Sequence, residues 1–239
     1  MSAAAATGGL EAAIAEALAR VRDPELDEPL PALGFVSSIE AAGGRARVRL
    51  RLPTYFCAPN FAYLMVADAR AAVLSVPGIE EADIALEDHF ADAEVNGAVA
   101  AGGGFADAFP GEADGELHEL RALFTRKALL VRQARVAEAL IRSAGWEPEQ
   151  LAAMRVRDLP ESPETREYLA RRAELGLDTS PSAAALVRGD GSAVPPAELA
   201  AHMRIARTVR VSVEGNAGLC RSLLKTRYGI PDPEEEGVT

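Results

Sequence analysis

Residues 45–52, RARVRLRL, alternate along their whole length between an arginine and an apolar side chain. Successive side chains of a strand point to opposite faces of a sheet, so this period of two predicts a strand with one core face and one arginine face. The preceding run, 35–41, is also strand-like, and Gly43-Gly44 between the two runs is typical of a hairpin turn. The core face is formed by Val48, Leu50 and Leu52, and the other face by Arg45, Arg47, Arg49 and Arg51.

Helical patterns flank this hairpin. The stretch 10–21 repeats apolar residues at helical spacing until Asp23-Pro24, because proline disfavours helical geometry in the residue before it. A second helix is predicted from about Asn60 to Leu74, and a third strand over 79–86. The order indicates an α+β domain, a small three-stranded sheet with helices packed on it.

The remainder of the chain predicts a mostly helical C-terminal extension. Residues 91–115 are rich in glycine, alanine and acidic residues without a period, which indicates a flexible linker. The predicted domains are therefore 1–90, the linker 91–115 and the extension 116–239. Within the extension the pattern predicts a long helix over 116–145, a strand over 209–213 and further helices at 148–159, 162–175, 197–206 and 217–228.

Charge and composition exclude several classes of function. The formal net charge of -11 opposes a general affinity for phosphate backbones, so we expect no nucleic-acid partner. No apolar run approaches the roughly 20 residues that span a bilayer, and the N-terminus lacks a signal-peptide pattern. We therefore expect a cytoplasmic protein without a membrane partner, whose two cysteines stay reduced.

Cys57 lies where the predicted second strand gives way to a helix. Unpaired backbone N–H groups and the helix macrodipole favour a thiolate at such a position, and Thr54 and Tyr55 supply hydroxyl groups nearby. The alternative is a buried cysteine that acts as a small apolar residue. The local sequence leaves both interpretations open.

Several separate pieces of the sequence resemble one family in the right order. They are Asp23-Pro24-Glu25, Leu33-Gly34-Phe35-Val36, Thr54 with Cys57, and Pro77-Gly78-Ile79. Together they are similar to the small Fe–S cluster assembly domain shared by PaaD, SufT and the cytosolic Fe–S targeting factor of eukaryotes. The resemblance covers roughly residues 10–90. One departure is Ala58, which separates Cys57 from Pro59, since the family commonly has proline directly after the cysteine.

The resemblance implies that Cys57 is the functional cysteine and that Thr54, Asp23 and Glu25 form the cofactor-binding set with it. It implies a maturation factor, not an enzyme, that transiently binds iron or an Fe–S cluster. Its partners would be a client metalloenzyme and other assembly proteins. The residues alone favour a structural interpretation, in which Asp23 is a helix stop and Glu25 a solvated loop residue.

Cys220 is the second candidate metal ligand. Its context, a predicted strand and then a turn before a helix, repeats that of Cys57, so we expect the two thiols to serve one metal site. Further ligands would come from Asp23, Glu25, a client or a second protomer in a homodimer. The competing interpretation packs Cys220 among Leu219, Leu223 and Leu224.

Two alternatives of other classes stay open. The turn around Cys57 is similar to that of longer relatives found beside bacterial multicomponent di-iron monooxygenases, which suggests a metal-free scaffold or chaperone for such an enzyme. A cysteine-dependent transferase or hydrolase is the third, although the sequence contains no GxSxG, Walker or dinucleotide motif. His89 stands alone in an acidic loop and is expected to be solvated, and His118 and His202 receive no role.

Overall fold

The computed structural model describes residues 3–111, 114–145 and 148–230. The chain divides into two compact units, one formed by residues up to 118 together with those from 216 onward, and one by 119–215. The strands are β1 (Val36–Ala42), β2 (Arg45–Arg51) and β3 (Glu81–Glu87). The α-helices are α1 (Ala3–Leu18), α2 (Pro59–Leu74), α3 (Asp92–Ala101), α4 (Phe105–Ala108), α5 (Asp114–Ala144), α6 (Pro148–Ala153), α7 (Pro163–Glu174) and α8 (Pro196–Tyr228), with a 3-10 turn at Val156–Asp158.

The three strands form one sheet in the order β1-β2-β3. β1 and β2 are antiparallel, and Gly43 and Gly44 join them with φ angles of 58° and 80°. Positive φ at both central residues is the geometry that a two-residue hairpin turn requires, so the predicted hairpin is confirmed. β3 pairs with β2 in parallel, with Val48 opposite Ile84, and α2 provides the connection that a parallel pair needs.

The two faces of β2 differ as the alternation predicts. Val48, Leu50 and Leu52 are buried, whereas the arginines lie on the other face beside the acidic residues of β3. Arg45 contacts Glu81 at 2.8 Å and Arg49 contacts Asp83 at 2.8 Å. Exposed ion pairs contribute little free energy, but opposite charges on paired strands favour this register.

The core of the first unit lies between the sheet and the helices, which confirms the predicted α+β class. It contains residues from α1, α2, α3 and the end of α8, among them Ile14, Leu18, Val66, Val73, Val95, Ala217 and Leu224. Within the part of the chain that the structure describes, no helix is long and apolar enough to cross a membrane.

The described residues of 91–115 do not form the structureless linker that the composition suggests. They contain α3 and α4, and Val95, Val99 and Phe105 are buried in the core. The side chain of Asn96 accepts a hydrogen bond from the Leu86 N–H at 2.8 Å and donates one to the Leu86 carbonyl at 2.9 Å. These bonds attach α3 to the exposed edge of β3, so tertiary contacts order a segment whose own pattern is weak.

The predicted strand over 209–213 is wrong, because α8 runs without interruption from Pro196 to Tyr228. The alternating valines satisfy a strand pattern locally. Helical spacing prevails because Ala217 and Leu224, seven residues apart, are both buried. Gly215 and Asn216 therefore lie inside a helix, and the turn predicted between the strand and the helix that carries Cys220 is absent at these residues.

The second unit is helical, as predicted for the extension. Its core includes Leu129, Tyr168, Leu186, Leu199 and Ala206. The buried Gln133 side chain exchanges two hydrogen bonds with the backbone of Val187, at 2.9 and 3.0 Å. Tyr168 donates to the Ala185 carbonyl.

Candidate functional site

The candidate site lies where the parallel strands β2 and β3 end. Because the carboxyl ends of parallel strands meet at one edge of the sheet, the loop 52–58 after β2 lies beside the loop 88–91 after β3. Cys57 is half-buried in the first loop, two residues before Pro59 begins α2. The predicted position at a helix entrance is therefore confirmed, and Ala58, the N-cap of α2, provides no side-chain cap.

His89 holds the two loops together. Its side chain is only 2% exposed, and Nε2 lies 2.7 Å from the Cys57 carbonyl oxygen, while Nδ1 lies 3.2 Å from the Ala91 backbone nitrogen. A carbonyl only accepts and a backbone N–H only donates, so Nε2 must carry the proton and Nδ1 must accept. His89 is thus a neutral, buried support of the Cys57 backbone, and the expectation of a solvated histidine is wrong.

The Cys57 thiol has a hydroxyl partner. Its Sγ lies 3.3 Å from Oγ1 of Thr54, the threonine expected beside it from the sequence. When Cys57 is a thiolate, the hydroxyl must be the donor, so Thr54 stabilises the charged form.

Asp23 is a buried carboxyl group, 7% exposed. Its Oδ1 accepts hydrogen bonds from the backbone N–H groups of Glu25 and Leu26, both at 2.8 Å, and so stabilises the turn that begins with Pro24. The pKa of Asp23 is raised to about 6, mainly by burial and in smaller part by the negative charges of Glu25 and Glu28, while the two backbone hydrogen bonds oppose the rise. Among the described residues, Oδ2 has no hydrogen-bond partner.

Cys220 lies in the interior of α8 and not at a helix start, so the repeated context on which its assignment rested is wrong. Burial raises the pKa of the Cys220 thiol to about 11, and the charges of Asp23, Cys57 and Glu25 add to the rise, whereas Arg221 opposes it. Each of these groups therefore acts electrostatically on the Cys220 thiol, in agreement with the contacts that hold α8 against the site loops.

Polar contacts attach the end of α8 to the site loops. Arg221 forms an ion pair with Glu28, and the Asn216 amide lies 3.5 Å from Oε1 of Glu25. Arg227 donates to the backbone carbonyls of Leu52, at 3.2 Å, and Asp88, at 2.6 Å. Both loops are therefore tied to the helix that carries Cys220.

The ligand set within one chain is incomplete. Among the residues that the structure describes, no group of three or more histidine, cysteine, aspartate or glutamate side chains has the arrangement needed to hold a metal ion. Cys57, Cys220 and Asp23 therefore form no preformed coordination sphere among the described residues.

Comparison with known proteins shows what the N-terminal part of the chain is similar to. Residues 11–85 match the family described as "Iron-sulfur cluster assembly protein". This segment is an iron–sulfur cluster assembly domain. It contains Asp23, Glu25, Thr54 and Cys57, whereas His89 and Cys220 lie beyond it.

A curated relative points to the same family. The iron-sulfur cluster carrier protein of Deinococcus radiodurans is 38% identical over 72 residues, which cover 30% of this chain and 20% of the relative. The chain therefore matches about a fifth of that protein's length. For residues 11–85, the resemblance to an Fe–S cluster assembly domain is confirmed.

Proposed function

We propose that this protein is an assembly or carrier factor for iron–sulfur clusters or iron, and that Cys57 binds the metal in transit. The proposal rests on the arrangement of residues that contact Cys57, within a segment that matches this family. A buried histidine fixes its backbone, and Thr54 contacts its sulfur.

Iron and Fe–S clusters are normally held by cysteine thiolates, sometimes with nitrogen or oxygen ligands. Cys57 would supply the first thiolate, Cys220 the second, and Asp23 or Glu25 an oxygen ligand. An incomplete set suits a carrier, because a recipient with more thiolates can remove the cargo by ligand exchange. We place the role in the cytoplasm, with a client metalloenzyme as recipient and no catalytic turnover.

The test measures metal binding and transfer by anaerobically purified protein. We expect the wild-type protein to accept iron, supplied alone or as a glutathione-ligated 2Fe–2S cluster, with sulfur-to-iron charge-transfer absorbance. Cys57→Ser should remove most of this binding while leaving the unfolding temperature nearly unchanged, because the substitution removes little apolar burial. Wild-type protein that binds neither form of iron would refute the proposal.

A metal-free scaffold or chaperone for a multicomponent di-iron monooxygenase is the second candidate. The absence of a three-ligand group among the described residues favours it. The two candidates separate in one experiment: a scaffold would support its client equally well as Cys57→Ser, whereas a carrier would not.

A further inference from the structure

We propose that the 119–215 unit binds an acidic segment of a partner protein, one that combines carboxylates with apolar side chains. The binding surface lies on α5 and α8, outside the residues that match the Fe–S assembly family, and the inference does not rest on the proposed carrier function. We call this surface the arginine cluster. Its members are Arg135 and Arg142 of α5 and Arg204, Arg207 and Arg210 of α8.

The two units of the chain carry charges of opposite sign. The 119–215 unit has 15 lysine and arginine residues and 13 aspartate and glutamate residues, which give it a formal charge of +2. The remainder of the chain has a formal charge of -13, so the total of -11 conceals a basic unit. The sign of the charge on a surface decides which partners are attracted to it. The 119–215 unit is therefore the part of this chain that can receive an acidic partner.

Within the cluster, four arginines share two carboxylates. Glu138 uses both of its oxygens, because Oε1 accepts a hydrogen bond from Arg207 at 3.0 Å and Oε2 accepts one from Arg210 at 2.6 Å. Glu214 accepts a hydrogen bond from Arg135 at 3.0 Å. Two carboxylates neutralise only two of the four arginine charges, so the cluster keeps a surplus of positive charge.

The attachment of α5 to α8 explains only part of the cluster. Three of its arginines bond to a glutamate of the opposite helix, and these bonds join the two helices. Arg142 instead contacts Glu138 of its own helix, at 3.7 Å, and its side chain is 73% exposed. The exposed Arg204 side chain has no ion-pair partner among the described residues. These two arginines contribute little to packing, and a partner can reach both.

Exposed apolar side chains lie beside the arginines. Val211 is 64% exposed, and it follows Arg207 by four residues, so the two side chains are neighbours on one face of α8. Ile141, which is 39% exposed, directly precedes Arg142 on α5. Protein–protein interfaces are enriched in arginine and have apolar centres. The composition of this surface is therefore that of a protein-binding site.

The same features favour a carboxylate partner over a nucleic acid. The planar guanidinium group can bind either a carboxylate or a phosphate through two parallel hydrogen bonds. A phosphate backbone would meet the partly exposed carboxylate of Glu214 and would gain nothing from Val211. A protein segment can place its carboxylates beside Arg142 and Arg204 and its apolar side chains against Val211. We therefore assign the surface to an acidic, partly apolar protein segment.

Fluorescence anisotropy of labelled probes tests the inference on the full chain. The first probe is a peptide of glutamate and leucine. In the second, lysine replaces glutamate, and in the third, serine replaces leucine. The fourth is a single-stranded oligothymidylate, which supplies phosphates. We expect the glutamate–leucine peptide to bind most tightly, with an affinity that falls as salt shortens the range of the charge interactions.

Substitutions then locate the binding. The double variant Arg142→Ala, Arg204→Ala should weaken binding of the glutamate–leucine peptide about tenfold, because it removes two exposed charges that the partner pairs with. Val211→Ser should weaken it about threefold. Arg166→Ala is the matched control, since Arg166 is an exposed arginine of α7 outside the cluster, and it should change nothing. Thermal unfolding followed by circular dichroism should give the double variant the wild-type unfolding temperature, because neither arginine bonds across the helix pair.

Four outcomes would overturn the inference. They are tighter binding of the lysine peptide or of oligothymidylate, equal binding of the serine peptide, and peptide binding that the double variant leaves unchanged. The fourth is a dimer seen by light scattering that the double variant abolishes while the glutamate–leucine peptide does not bind, which would assign the surface to a second copy of the chain. All four leave the proposed carrier function standing, because none of them measures iron.

Discussion

Asp23→Asn should stabilise the protein at neutral pH, although it removes a charge from the candidate site. Asparagine is nearly isosteric and keeps an oxygen that can accept the hydrogen bonds from Glu25 and Leu26. What it removes is the cost of keeping a carboxylate charged in a buried position, which is the main reason why the pKa of Asp23 is raised to about 6.

The size of the effect follows from proton linkage. The folded protein binds the Asp23 proton with a pKa of about 6 and the unfolded chain with one near 3.8. Between these values the folded state holds more protons than the unfolded state, so the contribution of Asp23 to the free energy of unfolding falls as the pH rises through this window. The full loss, present above about pH 6, amounts to about 3 kcal/mol.

Equilibrium unfolding in urea across this pH range tests the reasoning. The variant should exceed the wild type by about 2–3 kcal/mol near neutral pH, and the difference should shrink toward zero below about pH 3, where Asp23 is protonated in both states. Asp83→Asn is the control with the opposite sign, because the hydrogen bond from Arg49 lowers the pKa of Asp83. An Asp23→Asn variant that is less stable than the wild type, or a difference that does not change with pH, would refute the account.

Two further predictions concern the thiol and its support. Cys57 should react faster than Cys220 with a small thiol reagent at neutral pH, because the raised pKa of Cys220 leaves only roughly 10⁻⁴ of that thiol as thiolate. Site-resolved mass spectrometry measures both rates. A faster reaction of Cys220 would contradict the assignment of Cys57 as the functional thiol. His89→Ala should cost about 2–4 kcal/mol of stability through two lost hydrogen bonds and a cavity, and should weaken iron binding at Cys57. His89→Gln should restore part of both, and the exposed His118 gives the control variant His118→Ala, which should change neither.

The sequence predicts those parts of the fold whose structure depends on residues close together in the chain. The hairpin follows from a two-residue alternation and a Gly-Gly turn, and the position of Cys57 follows from the strand before it and the helix after it. α3 and the middle of α8 could not be predicted in this way. Asn96 orders α3 by bonding to Leu86, ten residues away, and the valines of 209–213 have strand preferences that a continuous helix overrides.

The role of His89 was missed for a related reason. It acts on a residue 32 positions earlier, through a contact that exists only because β2 and β3 are parallel. The signal that could have found it is the order strand, helix, strand, since a helical crossover implies parallel strands whose carboxyl ends meet. With that orientation, the histidine that follows β3 would have been expected beside the cysteine that follows β2.

The same residues connect the stability of the fold with the proposed carrier function. Asp23 is kept charged at a cost, and Cys220 holds its proton because burial and three negative neighbours disfavour its thiolate. In the proposed carrier function, a bound cation would remove both penalties at once, because it would neutralise the carboxylate and displace the thiol proton. The free energy that the fold loses at neutral pH without metal would then become part of the affinity for the proposed iron cargo. A recipient with a full set of thiolates can then compete for the metal, since one chain completes no coordination sphere of its own.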